Sequence, residues 1–161
     1  MTAEQWEQAV SLFRQAIQLN ADKSEMFYWT SVDKASSVGT KMAQELVFHY
    51  KTMRNYDKAY LFCKEVLQKN PNDVKWLAAC AETEVCRGKE KDALLTYQKV
   101  LSLDVNHLAA NIFVGNYYYL MAEQEKQQLM RDYKKISSPT RMQYALSLIH
   151  ISEPTRRTPI S

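Results

Sequence analysis

At 161 residues, with 46% hydrophobic residues but only three glycines and four prolines, the chain suits one ordered, helix-rich domain and not a disordered one. Twenty-one basic against eighteen acidic residues leave a net charge of +3, too balanced to suggest binding to nucleic acid or a membrane surface. No apolar run has the length of a membrane span, and Met1–Val10 lacks the basic start and apolar core of a secretory signal. The expected compartment is therefore the cytoplasm, unless a leader has been lost ahead of Met1.

The first expected element is an amphipathic helix within residues 1–23. Its Ala9, Phe13 and Ala16 are spaced by four and three, so they share one helix face. The same triplet returns as Ala59, Cys63, Val66 and as Ala93, Tyr97, Val100, and two residues late as Leu129, Tyr133, Ile136. A separation of 34 residues joins Ala59 to Ala93, Leu46 to Cys80, Val47 to Ala81, Val66 to Val100 and Pro71 to Val105. Such a period, with two apolar stripes in each, marks stacked helix–turn–helix units. The fold class expected is all-α, a right-handed helix–turn–helix repeat solenoid.

On this register residues 1–23 are a half repeat that supplies only a second helix. Residues 24–39 hold an extra helix, Ser24–Ala35, capped by Ser24, and a loop from Ser36 to Gly39; Thr40 caps the next helix. Phe27, Tyr28 and Trp29 are expected to cover the open end of the stack, with a partner pocket as the alternative. Full units occupy residues 40–73 and 74–107. Within them Asn70-Pro71-Asn72-Asp73 should stop one helix and cap its successor, and Arg87-Gly88-Lys89 should turn between helices. A small slot in the first helix, Val47, Ala81 and Gly115, should let two helices approach closely. Tyr50 and Tyr118 occupy a slot one turn later, interrupted by Glu84. Residues 108–138 form a divergent unit with a longer turn around Glu123–Lys126, and 139–145 begin a further helix. Residues 146–161, LSLIHISEPTRRTPIS, share neither period nor composition with the rest and resemble the translation of a sequencing-library adapter. On that reading Ala145 ends the genuine sequence, and the chain is a fragment of a longer repeat protein. The competing reading is a natural amphipathic start followed by a flexible tail with Pro154 and Pro159.

The pattern resembles the tetratricopeptide repeat family, of bacterial type. Gly115 and Tyr118 match its first helix, Ala9/Phe13/Ala16 and Ala93/Tyr97 its second, and Pro71 its closing proline. Asn55-Tyr56-Asp57-Lys58-Ala59 is typical of its turn into the second helix. The resemblance spans roughly Glu4–Ile136. It departs at Cys63, where an aromatic is usual, at Val105 in place of proline, and at Ala43, Leu77 and Asn111 in the tryptophan slot.

No catalytic constellation emerges from the residues, and the chain reads as no enzyme. Glu82 and Glu84 are two apart on a helix and point to different sides. His49 and His107 read as structural or surface histidines, and three scattered glycines cannot build a phosphate loop. Cys63, Cys80 and Cys86 lack zinc spacing, and the first two sit on packing faces as small buried thiols. No metal and no cofactor is expected.

What remains is surface. The resemblance implies that first helices line a concave face on which partner peptides lie. By register that face holds Lys41, Phe48, Lys51 and Thr52, then Lys75, Glu82 and Val85, then Ile112, Asn116 and Tyr119. The mixture suits an extended or helical peptide. The expected function is thus a non-catalytic protein–protein interaction module. The alternative is a structural spacer or assembly scaffold within a larger multi-repeat protein, envelope-associated in one version.

Overall fold

The computed structural model describes residues 2–135, 143 and 145–149, which divide between His107 and Leu108 into two compact units. Among the described residues all regular secondary structure is helical, and no helix is long and apolar enough to cross a membrane.

The first unit holds α1 (Ala3–Leu19), α2 (Ala21–Ser31), α3 (Ser37–Thr52), α4 (Tyr56–Lys69), α5 (Val74–Cys86) and α6 (Glu90–Leu103). Local chemistry sets most of the boundaries. Thr2 opens α1 with a capping box: its hydroxyl accepts from the Gln5 N–H, and the Gln5 side chain accepts from the Thr2 N–H. Asn20 ends α1 and starts α2 by itself, donating its N–H to the Ala16 carbonyl and accepting from the Lys23 N–H at 3.0 Å. Asp73 caps α5 by accepting from the N–H groups of Lys75 and Trp76, as Asn70-Pro71-Asn72-Asp73 led one to expect.

Two expected caps are displaced. α2 begins at Ala21 behind Asn20, while Ser24 lies buried inside it and donates its hydroxyl to the Asn20 carbonyl at 2.8 Å. Ser36, not Thr40, caps α3, accepting from the Gly39 N–H at 2.9 Å. The stretch read as the loop from Ser36 to Gly39 is therefore mostly the first turn of a helix. In both places a competent side-chain acceptor stood earlier in the chain, and the helix extended back to it.

Two of the turns match in geometry. Arg54, between α3 and α4, and Gly88, between α5 and α6, lie 34 apart and both take positive φ, 57° and 75°. Both turns close with the same hydrogen bonds, Asn55 N–H to the Tyr50 carbonyl and Lys89 N–H to the Glu84 carbonyl. Only the second uses the residue that adopts this conformation without steric cost. Arg54→Gly should accordingly stabilise the protein by about 1 kcal/mol, read as a higher urea midpoint. A lower midpoint would mean that the Arg54 side chain, and not its backbone, dominates that turn.

Each helix of the first unit packs on the next in sequence, and α1 also packs on α3. Helix starts recur at Ala3, Ser37 and Val74, and one helix later each time at Ala21, Tyr56 and Glu90. The core runs through Ile17, Leu46, Ala59, Phe62, Cys63, Cys80, Ala81, Ala93 and Val100, all buried. At its centre Phe62 on α4 meets Tyr28 and Trp29 on α2 and Trp76 on α5, with ring centroids 5.2–6.1 Å apart. Two of the three aromatics expected to cover an open end thus turn inward; only Phe27, half exposed, rests against Phe13 near the surface. The predicted triplet is fully buried on α6. On α1 only Phe13 of its three members is, and Ala9 and Ala16 line an open groove with Leu12 and Phe27.

The second unit contains α7 (Leu108–Lys135), 28 residues without interruption. The turn expected around Glu123–Lys126 is not formed. Residues 123–128 are Glu, Gln, Glu, Lys, Gln and Gln, all good helix formers, and nothing among them stops a helix. Gln128 further bridges Asp132 and Arg131 along the helix surface. Val47 and Ala81 are buried as the small slot required, but Gly115 is exposed, with no atom within 4 Å of where a Cβ would stand. Among the described residues nothing makes the close approach expected at Gly115. The helix start expected at 139–145, Ile136, and the 146–161 tail fall largely outside the described residues; positions 145–149 are helical.

Candidate functional site

The face shared by α1, α3 and α5 carries the densest set of predicted residues. Phe48 projects from α3, two-thirds exposed at 67%. On its α5 side lies a cleft of about 210 Å³, lined by Phe48, Val47, Lys51, Lys75, Trp76 and Ala79. On its α1 side lies a smaller one of about 90 Å³, where Phe48 and Thr52 face Arg14 and Gln18. An exposed aromatic between two indentations, on an apolar floor, departs from what a surface phenylalanine ordinarily does.

Ion pairs brace this face across neighbouring helices. Lys51 Nζ on α3 donates to Glu82 Oε1 on α5 at 2.6 Å. One step earlier Arg14 on α1 forks onto Glu45 on α3, Nε to Oε2 at 2.9 Å and Nη2 to Oε1 at 2.7 Å. The Arg14 guanidinium, through its hydrogen bond and then its charge, holds the Glu45 carboxyl below the usual carboxylate range. Being exposed, these pairs orient side chains more than they stabilise the fold. Among the described residues they leave Lys41 and Lys75 without a carboxylate partner on the same face.

The structure thus gathers Phe48, Lys51, Lys75 and Glu82, and places Thr52 beside Phe48. Lys41 is exposed one turn into α3, and Val85 is half-buried near the end of α5. Ile112, Asn116 and Tyr119 are exposed on one face of α7, in the second unit. Sequence reasoning missed Arg14 and Gln18. They stand 34 residues before Phe48 and Thr52, a spacing that could have drawn attention to them.

Glu84, the residue that interrupted the aromatic slot, is buried and accepts from the Thr96 hydroxyl at 2.7 Å and from the Cys80 thiol. Its side chain replaces an aromatic contact by hydrogen bonds inside the α5–α6 hairpin. Among the described residues no three His, Cys, Asp or Glu side chains gather as a metal site.

The thiols divide sharply. Cys63 and Cys80 are buried and pushed up to about 12, burial being the main cause, whereas Cys86 is exposed. Ellman's reagent should label one thiol rapidly in the native protein and three in urea. Raising the pH above 9 ionises these thiols in the unfolded chain but not in the folded one, so stability should fall from pH 9 towards 12. Urea midpoints measured across that range test the sign, and the fall should be shallower for Cys63→Ala. A midpoint that rises with pH would refute it.

No family model matches the sequence, and no curated protein does. Among solved structures, a Bacteroides ovatus protein provisionally described as a protein-binding protein is 61% identical, with a TM-score of 0.77; the match covers 96% of this chain and 76% of that one. With that identity over most of both chains, this all-helical protein belongs to the same family as the Bacteroides ovatus protein.

Proposed function

We propose that the chain is a non-catalytic protein-interaction module of tetratricopeptide type, binding a partner polypeptide on the face built by α1, α3 and α5. In this reading α1–α2, α3–α4 and α5–α6 are three successive repeat units, so the first unit is a whole hairpin and not a half repeat with an extra helix. Helix starts that recur at Ala3, Ser37 and Val74, and the matched turns at Arg54 and Gly88, support that register. The observation that carries the functional reading is Phe48, exposed between two clefts and flanked by lysines. Such a face offers an aromatic anchor with polar groups at its rim, the composition of a binding hot spot. The description of the Bacteroides ovatus relative as a protein-binding protein points the same way. The module works in the cytoplasm and carries no cofactor.

The test is recovery of partners by the full chain from its native host. Phe48→Ala should lower partner affinity at least about tenfold without moving the urea midpoint, since a central hot-spot residue contributes about 2 kcal/mol or more. Ile112→Ala and Tyr119→Ala, made separately, ask whether α7 takes part. Undiminished recovery with all three replaced would favour a spacer or scaffold role in which this face binds nothing.

A further inference from the structure

Another cavity, of about 340 Å³, opens where the end of α2, the start of α3, the end of α4 and the start of α5 come together. Its walls are aromatic and cationic. Tyr28, Trp29 and Trp76 supply ring surface, and Lys34, Lys69 and Lys75 supply charge, against one carboxylate, that of Asp73. Asp73 is already engaged by the Lys75 and Trp76 N–H groups as the cap of α5. Lys34 is held in place: its Nζ donates to the Trp29 carbonyl and lies 5.3 Å from the centre of the Tyr28 ring and 5.8 Å from that of Trp29. Among the described residues Lys69 and Lys75 have no ion-pair partner.

The repeat provides an internal comparison. Thirty-four residues after Trp29, Lys34, Lys69, Lys75 and Trp76 stand Cys63, Gln68, Leu103, Ala109 and Ala110. The indoles and the ammonium groups therefore do not recur at the 34-residue spacing, and the repeating pattern of this sequence does not require them. The combination is an addition at one junction. Its volume falls within the range of small-molecule sites, and flat ring surface beside unneutralised cations is the chemistry that holds an aromatic anion.

We propose that this cleft, which shares Lys75 and Trp76 with the cleft beside Phe48, binds a small organic anion bearing a flat ring, an aromatic carboxylate or an aryl phosphate. The ring stacks against Trp29 and Trp76, and the anionic group is met by Lys69 and Lys75.

The chain holds three tryptophans, and Trp6, on α1, is not among the residues lining this cleft, so it serves as the reference. Indole N–H resonances of the full chain, assigned through single Trp→Phe variants, are followed as benzoate or phenyl phosphate is added. Saturable shifts of Trp29 and Trp76 with Trp6 unmoved are expected, and whichever probe binds tighter tells carboxylate from phosphate. Lys69→Ala/Lys75→Ala, which alters exposed side chains only, should weaken binding about tenfold, as should raising NaCl to roughly 0.5 M. Benzyl alcohol, which has the ring without the charge, and inorganic phosphate, which has the charge without the ring, should not shift Trp29 and Trp76. Absence of saturable shifts with both aryl anions overturns the proposal. So does an equal response to benzyl alcohol, or binding unaffected by both the lysine replacements and salt.

Discussion

Replacing Phe62 by alanine should cost about 3–5 kcal/mol of folding stability, the range for a fully buried phenylalanine whose site cannot close around the void. Phe62 is 2% exposed and its ring touches Tyr28, Trp29 and Trp76 together. Three large aromatics on two helices, α2 and α5, cannot all move inward to fill its place, because each is committed on another side. Tyr28 and Trp29 are held under Lys34, and Trp76 sits in the first turn of α5 behind its Asp73 cap. The neighbouring Leu61, 64% exposed, provides the control: Leu61→Ala should lie within about 0.5 kcal/mol of the wild type. Urea unfolding followed by far-ultraviolet circular dichroism measures both. A loss below about 1 kcal/mol for Phe62→Ala would show that the cluster does not hold the hairpins together.

Gly39→Ala is expected to destabilise the protein by about 3 kcal/mol, the upper part of the range for forcing a methyl into packed structure. Gly39 lies in the first turn of α3, where glycine is a poor helix former, so propensity alone predicts a gain for alanine. Geometry reverses that. A Cβ there would overlap the backbone carbonyl of Asp33 and stand 3.0 Å from Ser36 Oγ, the atom that caps the helix. A backbone carbonyl cannot rotate aside like a flexible side chain. The Asp33 oxygen also accepts from the Ser36 hydroxyl at 2.6 Å, so moving it would loosen the cap as well. Gly115→Ala isolates the effect of propensity. With open space around Gly115, alanine should stabilise α7 by up to about 1 kcal/mol. If both variants stabilise, the tight approach of the 33–36 turn to α3 is wrong.

The positions of the turns were legible in the residues themselves. Asn70-Pro71-Asn72-Asp73 and Arg87-Gly88-Lys89 separate helices where they stand, because proline, asparagine, aspartate and glycine act on their own backbone and need no distant partner. The buried faces of α4 and α6 could likewise be read from spacing, since a helix carries its own periodicity. Nothing local showed the caps at Asn20 and Ser36, each of which competed with an equally plausible serine or threonine a few residues on. The continuity of α7 was hidden by a triplet, Leu129/Tyr133/Ile136, whose spacing mimics a second helix although no breaker precedes it.

The sequence alone determined that the chain is helical, that its helices recur in a rhythm near 34 residues, and where most of them stop, since each depends on interactions within a few residues. Tertiary structure alone decided that α1 sides with α3 through Arg14 and Glu45, that Tyr28 and Trp29 turn inward to Phe62, and that Lys75 borders both the Phe48 cleft and the aromatic one. Exposure and proximity belong to a residue and its packing partner jointly. A periodic pattern names the face of a helix, but only the helix laid against it determines whether that face becomes core, cleft or open surface.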